Sequence, residues 1–452
     1  MAVAGSSPAP RPVNGMYRTR SSTARPLQIK PEVARKVLLV HNSYRQQGGE
    51  DQVVNAEAEL LRSYGHEVRL YHANNADIRH GLSVVGQVVW NQQSYRELRA
   101  LIQRERPEVV HVHNTFPIIS PSALYAAAEE ALPVVHTLHN YRLLCPGATF
   151  YRDGEVCEDC VRRQSLLPAV IHGCYRQSRL TTAAAVMGLT AHRVAHSWQR
   201  HVAAYIALTE FARSKFVESG FDPRKLHVKP NFIGRDPGVG SGSGGYALFV
   251  GRLTEEKGVA TLINAWKELG SEFRLEIVGE GPLSPLVQAA QESMPNVRWH
   301  GWVPKSEVLS LMQGASMLIM PSEWYEGFPV TLVEAFATGL PAVVSRIGSL
   351  ALLVEEGRTG LHFEAGNPSE VASTVRYLFS VPEVRESMRW AARREYEKKY
   401  TAEANYAMLS QVYSSALNQQ NETSGPRRPS GPPITSGSAK KKTVVFSALR
   451  SK

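Results

Sequence analysis

Long apolar segments are absent from this chain. Its 452 residues contain no run of about 18 or more apolar residues, the length that a membrane-spanning helix needs. The first residues include arginine and proline but no apolar stretch, so a secretory signal is not expected either. A cytosolic location is the default expectation.

Two ligand-binding motifs are also missing. The first strand that the sequence predicts, residues 36–41, is not followed by Gly-x-Gly-x-x-Gly, which argues against a nicotinamide-dependent dehydrogenase. No Asp-x-Asp pair lies at the end of a predicted strand. Bridging of a diphosphate by a divalent metal is therefore not indicated, and no cofactor is expected to be required for catalysis.

Acidic residues are scarce only at the ends of the chain. The formal net charge is +10, of which residues 1–32 carry +4 and residues 419–452 carry +6, so the segment between them is neutral. Both ends are rich in proline, serine and glycine, which predicts disordered tails. The basicity therefore indicates no nucleic-acid partner. The tails either contact anionic lipid at the inner face of the membrane or only aid solubility.

Alternating strands and helices lie between the tails. Short apolar runs alternate with helix-length segments in two successive series, which predicts parallel β-α-β units. The expected fold class is α/β, with two Rossmann-like doubly wound parallel sheets that face each other across a cleft. The predicted divisions are a first domain at 33–237 with an insert at 140–180, a Gly/Ser hinge at 238–245, a second domain at 246–400 and a final helix at 401–418.

Residues 317–341 predict the main ligand site. An apolar run ends at Pro321, a polar loop follows, and a helix is predicted over 331–338. Glu326 precedes this helix and Glu334 lies in its first turns. A helix N-terminus favours an anion because its N–H groups are free and its dipole is positive there. Carboxylates beside it would accept hydrogen bonds from hydroxyl groups, so a nucleotide-sugar is the expected ligand.

The stretch Glu326-Gly-Phe-Pro-Val-Thr-Leu-Val-Glu334 resembles the Glu-x7-Glu signature of retaining GT-B glycosyltransferases, most closely glycosyltransferase family 4, or retaining group 1. The resemblance extends over residues 36–415. It implies the GT-B fold and retaining, metal-independent transfer of a sugar from a nucleoside-diphosphate sugar to a hydroxyl acceptor. That acceptor would be a glycan, a lipid-linked intermediate or a small molecule. It also implies a final helix that crosses back onto the first domain.

Arg252 and Lys257 follow the first predicted strand of the second domain, at the sheet edge where ligands of open α/β folds bind. Two cations there suit a diphosphate, and the resemblance assigns them this role. It also places backbone groups of the loops with Gly279 and Val303 against the nucleoside. The predicted donor-binding residues are Gly48, Gly49, Arg252, Lys257, Gly279, Val303, Glu326, Gly327, Phe328, Pro329, Val330 and Glu334.

In the first domain, Gly48 and Gly49 would let a phosphate or the transferred sugar approach the backbone closely. Glu50 and Asp51, which follow them, either compensate a helix dipole or bind the acceptor.

Histidines gather on two predicted strands of the same domain. His139 matches the active-site histidine of the family and completes a predicted catalytic set with Glu326, Arg252 and Lys257. His111 and His136 alternate with apolar residues and are interpreted as core residues. His113 is a weaker candidate for the acceptor side.

The only cysteines in the chain, Cys145, Cys157, Cys160 and Cys174, fall within 30 residues. The Cys-x-x-Cys spacing lets two thiolates bind one ion, and disulfides are rare in cytosolic proteins, so a structural zinc ion is expected. Unrelated reduced thiols, a Cys157/Cys160 redox pair or an iron–sulfur cluster are the alternatives. The insert also resembles that of a bacterial subset of family 4.

Three functions are consistent with these patterns. The first is the glycosyltransferase described above. The second, on the same fold, is a sugar-nucleotide epimerase or a phosphorylase-like enzyme. The third is a non-catalytic partner protein that only binds a nucleotide-sugar. The complete set of acidic, basic and histidine side chains favours the first.

Overall fold

The computed structural model describes residues 33–43, 48–74 and 83–424. The predicted tail 1–32 lies outside these residues, and so does the tail 419–452 beyond residue 424. The strands are β1 (Lys36–Ser43), β2 (Glu67–Asn74), β3 (Val109–Asn114), β4 (Val134–Leu138), β5 (Tyr151–Arg152), β6 (Glu155–Val156), β7 (Ala204–Ala207), β8 (Leu226–Val228), β9 (Tyr246–Val250), β10 (Arg274–Val278), β11 (Val297–Trp299), β12 (Met317–Met320), β13 (Ala342–Ser345) and β14 (Gly360–Phe363).

The helices connect these strands. They are α1 (Gly49–Ser63), α2 (Ser83–Val89), α3 (Gln92–Glu105), α4 (Ser122–Glu129), α5 (Asp159–Arg162), α6 (Leu167–His172), α7 (Arg179–Val194), α8 (Ser197–His201), α9 (Glu210–Glu218), α10 (Val259–Leu269), α11 (Ser284–Ser293), α12 (Lys305–Gly314), α13 (Val330–Ala337), α14 (Leu350–Leu353), α15 (Pro368–Ser380), α16 (Pro382–Lys399) and α17 (Ala402–Ser424).

The strands form two six-stranded parallel sheets. The first has the order β2-β1-β3-β4-β7-β8 and the second the order β11-β10-β9-β12-β13-β14. Every residue of β3, β4, β12 and β13 is buried, as expected for parallel strands covered by helices on both faces. The predicted fold class, two doubly wound α/β sheets, is confirmed.

The last helix connects the two halves. α17 follows the second sheet in sequence but contacts β4, β7 and α1 of the first. Its residues Leu409, Val412, Tyr413 and Ala416 are buried there. The final helix thereby packs on the opposite domain, as the resemblance implied.

The Gly/Ser segment 238–245 is held against the C-terminal ends of α12 and α13 in the second domain. The amide groups of Gly240, Gly242 and Gly244 donate to the carbonyls of Thr338, Gln313 and Gly314 at 3.0, 2.9 and 2.8 Å, respectively. The glycine content of this segment is thus accounted for by close backbone packing, and its role as a hinge stays a prediction.

Local structure differs from the sequence expectation in two places. The long helix expected over 181–201 is divided into α7 and α8 because His196 has a left-handed backbone with φ 53°. The insert expected to be irregular contains the β5–β6 hairpin and the short helices α5 and α6. Phe150 and Leu166 of the insert pack into the hydrophobic core of the first domain, with exposures of 1% and 5%.

Within the described residues, no helix is both long and apolar enough to cross a membrane.

Candidate active site

The loop between β12 and α13 carries the central carboxylate. Glu326 is only 4% exposed. Its Oε1 atom accepts hydrogen bonds from Lys257 Nζ at 2.6 Å and from Ser322 Oγ at 2.7 Å. Burial opposes ionisation of Glu326, but the charge and hydrogen bond of Lys257 outweigh it and hold the pKa of this carboxyl below its usual range. The loop therefore presents a carboxylate beside an ammonium group.

Glu334 lies on α13 in a different environment. It is also 4% exposed, and its carboxylate contacts the ammonium of Lys305, whose side chain is 52% exposed. Burial raises the pKa of Glu334, and the solvated Lys305 only partly offsets that effect. The two acids of the motif thus differ in their ease of ionisation.

Arg252 and Lys257 both border the loop but have different partners. Lys257 lies at the end of a 3-10 turn, Glu255–Lys257, and its Nζ is 5.4 Å from the Trp324 ring centre. The Arg252 side chain is 74% exposed, with Glu256 at 3.6 Å as an ion-pair partner. An ammonium has three N–H donors, so Lys257 can keep Glu326 and still bind an anion.

The other second-domain residues predicted to bind the donor lie on neighbouring loops and at the start of α13. Gly279 has φ +127° and packs directly on the Gly251 carbonyl, so the position admits no side chain. Val303 is partly buried against the core, and Phe328 and Pro329 are buried at the start of α13. No side chain caps that helix N-terminus, where Val330 is the first helical residue.

The two domains meet at this loop. A Cβ added at Gly327 would stand 2.7 Å from the backbone oxygen of His139, so only glycine fits. The Tyr141 hydroxyl lies 3.5 Å from the Glu326 backbone oxygen. The loops after β4 and β12 are thus in contact, which brings His139 and Glu326 to the same region of the cleft.

Gly48 and Gly49 lie at the start of α1. The amide of Gly48 donates to Asp51 Oδ2 at 2.8 Å, and Asp51 Oδ1 is 2.9 Å from His41 Nε2. Asp51 therefore acts as a capping carboxylate, and this geometry favours the dipole interpretation for it. The donor-binding role of the two glycines stays a prediction.

A buried charge network lies beneath His139, and its extent is not apparent from the sequence. Glu57 and Lys229 are each 1% exposed and are joined by a 3.0 Å ion pair. Glu57 Oε1 is 3.0 Å from His111 Nδ1 and 3.3 Å from His113 Nε2. His113 Nδ1 lies 2.9 Å from His139 Nε2. A chain of polar contacts therefore links Glu57 to His139.

Electrostatics fixes the charges in this network. Burial opposes ionisation of Glu57, but the charges of Lys229 and His111 hold its pKa well below the usual range. Burial, together with the neighbouring His111, lowers the pKa of His113 to about 3, and burial and His113 lower that of His139. The carboxylate is charged and both of these imidazoles are neutral.

His111 and His136 are core residues in the structure, as interpreted from the sequence. His111 is fully buried and bonded to Tyr413 and Thr137 at 2.9 and 2.7 Å. His136 is 7% exposed, and burial lowers its pKa to about 3.

The four cysteines converge, although they come from separate turns of the insert. Cys145, Cys157, Cys160 and Cys174 all line one cavity of about 10 Å³. All four are free thiols. Burial and the adjacent thiols raise the pKa of Cys160 to about 11.

Both halves of the chain match family models. Residues 48–231 match the glycosyl transferase 4-like domain, and residues 241–395 match the group 1 glycosyl transferases.

Curated relatives include a D-inositol 3-phosphate glycosyltransferase of Corynebacterium efficiens, 32% identical over 40% of this chain and 46% of the relative. A glycogen synthase of Mycobacterium tuberculosis is 30% identical over 44% of this chain and 48% of its own length. An uncharacterized glycosyltransferase of Methanocaldococcus jannaschii is 27% identical over 44% and 57%, respectively. The chain thus spans about half the length of these relatives.

Solved structures agree over a longer span. HepE of Anabaena in complex with UDP superposes with a TM-score of 0.60 at 16% identity, covering 84% of this chain and all of HepE. Sucrose-phosphate synthase of Thermosynechococcus elongatus gives a TM-score of 0.61 at 15% identity, covering 85% of this chain and 100% of that structure. At such identities the likeness establishes the fold, which is GT-B. With family models matching both domains, the chain belongs to the group 1, family 4-type glycosyltransferases.

Proposed function

We propose that this protein is a retaining, metal-independent glycosyltransferase that moves a sugar from a nucleoside-diphosphate sugar to a hydroxyl acceptor. The observation that carries the proposal is the 2.6 Å pair between Lys257 Nζ and Glu326 Oε1 beside the uncapped N-terminus of α13. The pair supplies a cation and a carboxylate that can bind hydroxyl groups, and the helix supplies free N–H groups. All of them lie at the contact between the two domains.

The diphosphate is the group that Lys257, Arg252 and α13 would hold. The ammonium and the exposed guanidinium supply positive charge, and the first N–H groups of α13 add hydrogen bonds. Negative charge grows on the diphosphate as its bond to the sugar breaks, so these groups bind the transition state more strongly than the ground state.

Glu326 and Glu334 would bind different hydroxyl groups of the donor. Glu326 lies next to Lys257, and hence beside the bond that breaks, so we assign it to the transferred sugar. Glu334 lies further along α13, and we assign it to the two ribose hydroxyls. Each carboxylate accepts hydrogen bonds, and only its ionised form can accept with both oxygens at full strength.

Retention follows if attack and departure occur on the same face of the sugar. The bond from the anomeric carbon to the phosphate oxygen breaks, and its electron pair goes to the leaving diphosphate. The acceptor oxygen forms the new bond to that carbon, and its proton passes to an oxygen of the departing phosphate. No residue of this chain then has to act as a covalent nucleophile.

His139 would orient the transferred sugar. Glu57 is a carboxylate 3.3 Å from His113 Nε2, so we assign the hydrogen of the neutral His113 to that nitrogen. The neutral His113 then accepts at Nδ1 from the Nε2 hydrogen of His139. The neutral His139 is left with an acceptor at Nδ1, suited to a sugar hydroxyl.

A panel of UDP-, GDP- and ADP-sugars tests the proposal. Transfer or slow donor hydrolysis in EDTA, with retained anomeric configuration of the product by proton NMR, is the expected result. Inversion, or activity restored only by magnesium or manganese, would overturn it. Isomerised donor without nucleotide release would instead indicate the epimerase, and binding without turnover the silent partner.

We also propose peripheral contact with an anionic membrane surface through α6 and α7. Leu180, Met187 and Val194 recur every seven residues along α7 with exposures of 85%, 46% and 74%. Leu167 and Ile171, one turn apart on the adjacent α6, are 61% and 53% exposed. The nearby exposed arginines, Arg162, Arg163, Arg176 and Arg179, complement anionic headgroups.

Vesicle sedimentation tests this contact. Binding to vesicles that contain phosphatidylglycerol, but not to pure phosphatidylcholine, is expected, and L180E/V194E should abolish it. Equal binding of that variant, or no binding of the wild type, would overturn the proposal. Loss of a dimer in the variant would assign the surface to a second copy instead.

A further inference from the structure

Two clusters of metal-ligating side chains occur in the described part of the chain, and only one is suited to a cation. Glu57, His111 and His113 have ligand atoms within 4.8 Å of one another. However, Lys229 Nζ lies 3.0 Å from the Glu57 carboxylate, and both nitrogens of His111 have hydrogen-bond partners. A cation there would face a buried ammonium, so this cluster is a hydrogen-bonded network.

The cysteine cluster differs because its four thiols become anionic when they bind a metal, so the Arg152 guanidinium that lines the same cavity offsets a net negative charge. Its cavity of about 10 Å³ is enough for a single ion or water molecule. The sulfur atoms do not meet the 4.8 Å mutual spacing. Binding of a common ion at about 2.3 Å therefore requires the sulfur atoms to move inward.

Backbone hydrogen bonds of their own amides hold three of the cysteines, and the fourth, Cys160, lies in the short helix α5. The amide of Cys145 donates to the Tyr141 carbonyl at 2.8 Å, and that of Cys157 to the Phe150 carbonyl at 2.7 Å. The amide of Cys174 donates to the Ala169 carbonyl at 3.0 Å. Four cysteines that an ordered backbone holds around one cavity have the composition of a tetrahedral zinc site.

We propose that Cys145, Cys157, Cys160 and Cys174 bind one structural zinc ion. This ion would act as a brace, since it would hold the insert in place against the loop between β12 and α13. Binding replaces four S–H protons with four Zn–S bonds and releases the protons to solvent. The resulting site has a net charge of −2. Arg152, which lines the cavity and pairs with Asp159 at 3.2 Å, supplies a compensating positive charge.

Contacts of the insert explain why such a brace affects the active site. Glu158, between two of the cysteines, forms an ion pair with Lys215 at 2.9 Å, and its carboxylate interacts with the Tyr325 side chain. Phe150 packs against the same tyrosine, with ring centres 6.1 Å apart. Tyr325 directly precedes Glu326, so the metal-bound insert would set the position of the catalytic loop.

Metal content provides the first test and does not depend on the proposed function. Protein purified without a metal-affinity step should contain about one zinc per chain by mass spectrometry. C157S/C160S should lose it, whereas R162S, an exposed change in the same helix, should keep it. Zinc at background in freshly reduced wild-type protein, iron in its place, or zinc retained by the double variant would overturn the site.

The brace itself is tested with E158Q, which keeps all four cysteines. We expect full zinc content but roughly fivefold weaker binding of the donor that the nucleotide-sugar panel identifies, about the effect of one partly exposed ion pair. This part rests on the proposed function. Unchanged donor affinity would overturn the brace, whereas a wild type that binds zinc but no donor would overturn the function and leave the metal site intact.

Discussion

The two domains handle buried charge in opposite ways. In the first, Glu57 and Lys229 are each 1% exposed and are surrounded by protein partners. In the second, Glu326 is nearly as buried, but its partner Lys257 is 21% exposed, and the nearby Arg252 is 74% exposed. An ion pair enclosed by protein maintains one arrangement of side chains. A pair with one open side has room for a ligand, which is the arrangement that a donor site needs.

The largest expected effect tests the enclosed pair. K229M leaves the Glu57 carboxylate buried without its ammonium, so we expect about 3–5 kcal/mol lower free energy of unfolding in urea. K229M/E57Q removes both charges and should recover much of that loss. A change below about 0.5 kcal/mol, as expected for the exposed control K267M, would contradict the structural role of the pair.

The open pair should matter for turnover instead. E326Q keeps the shape of the side chain but removes its charge, so kcat should fall roughly 10²–10³-fold, in the range for one electrostatic stabiliser. Donor affinity should change much less. E307Q, on the exposed first turn of α12, is the matched control. An equal loss in kcat and affinity would argue against a transition-state role.

Glu334 should act on binding. Because we assign it to the ribose hydroxyls, E334A should weaken donor binding by ~1.5–3 kcal/mol, the range for hydrogen bonds to a charged group. Calorimetry with wild type and variant measures this difference. Burial raises the pKa of Glu334, so donor binding should also weaken as the pH falls through that raised value. Unchanged affinity in E334A would refute the ribose role.

Acid should destabilise the first domain through its buried histidines. Burial lowers the pKa of His113 and His136 to about 3, from 6.5. Between these values the unfolded chain binds more protons than the native one, so the stability of the protein is lost as the pH falls below about 6.5. Each histidine contributes at most about 1.4 kcal/mol per pH unit. In urea titrations between pH 7 and 5, H136F should show a smaller slope; an equal slope would contradict neutral burial.

The same contrast explains what the sequence could predict. The predicted donor-binding segment is continuous in sequence, since a strand, an acidic loop and a helix start fall within 317–341. Local patterns therefore located Glu326, Glu334 and the α13 N-terminus. The fold class was predictable for a similar reason, because the alternation of strands and helices is local.

The network under His139 was not predictable, because its members are distant in sequence. Glu57 lies on α1, a helix whose sequence pattern indicates only that it is amphipathic. Its partner Lys229 is 172 residues away in the sequence, and Tyr413 is 302 residues from its partner His111. The position of Lys229, directly after the strand β8 and before Pro230, is the sequence feature that could have indicated a buried cation. Lys305, the partner of Glu334, carried no signal at all.

Diphosphate binding in the absence of metal is the most direct measurement of the central claim. Calorimetry with UDP, GDP and ADP, in EDTA, compares the wild type with K257A and with K267A, whose lysine lies on α10 away from the loop. We expect at least one nucleoside diphosphate to bind, with roughly tenfold or greater loss in K257A and no change in K267A, since one charge-assisted hydrogen bond contributes about 1.5 kcal/mol or more. Binding that requires a divalent metal, or that is the same in K257A, would contradict the account.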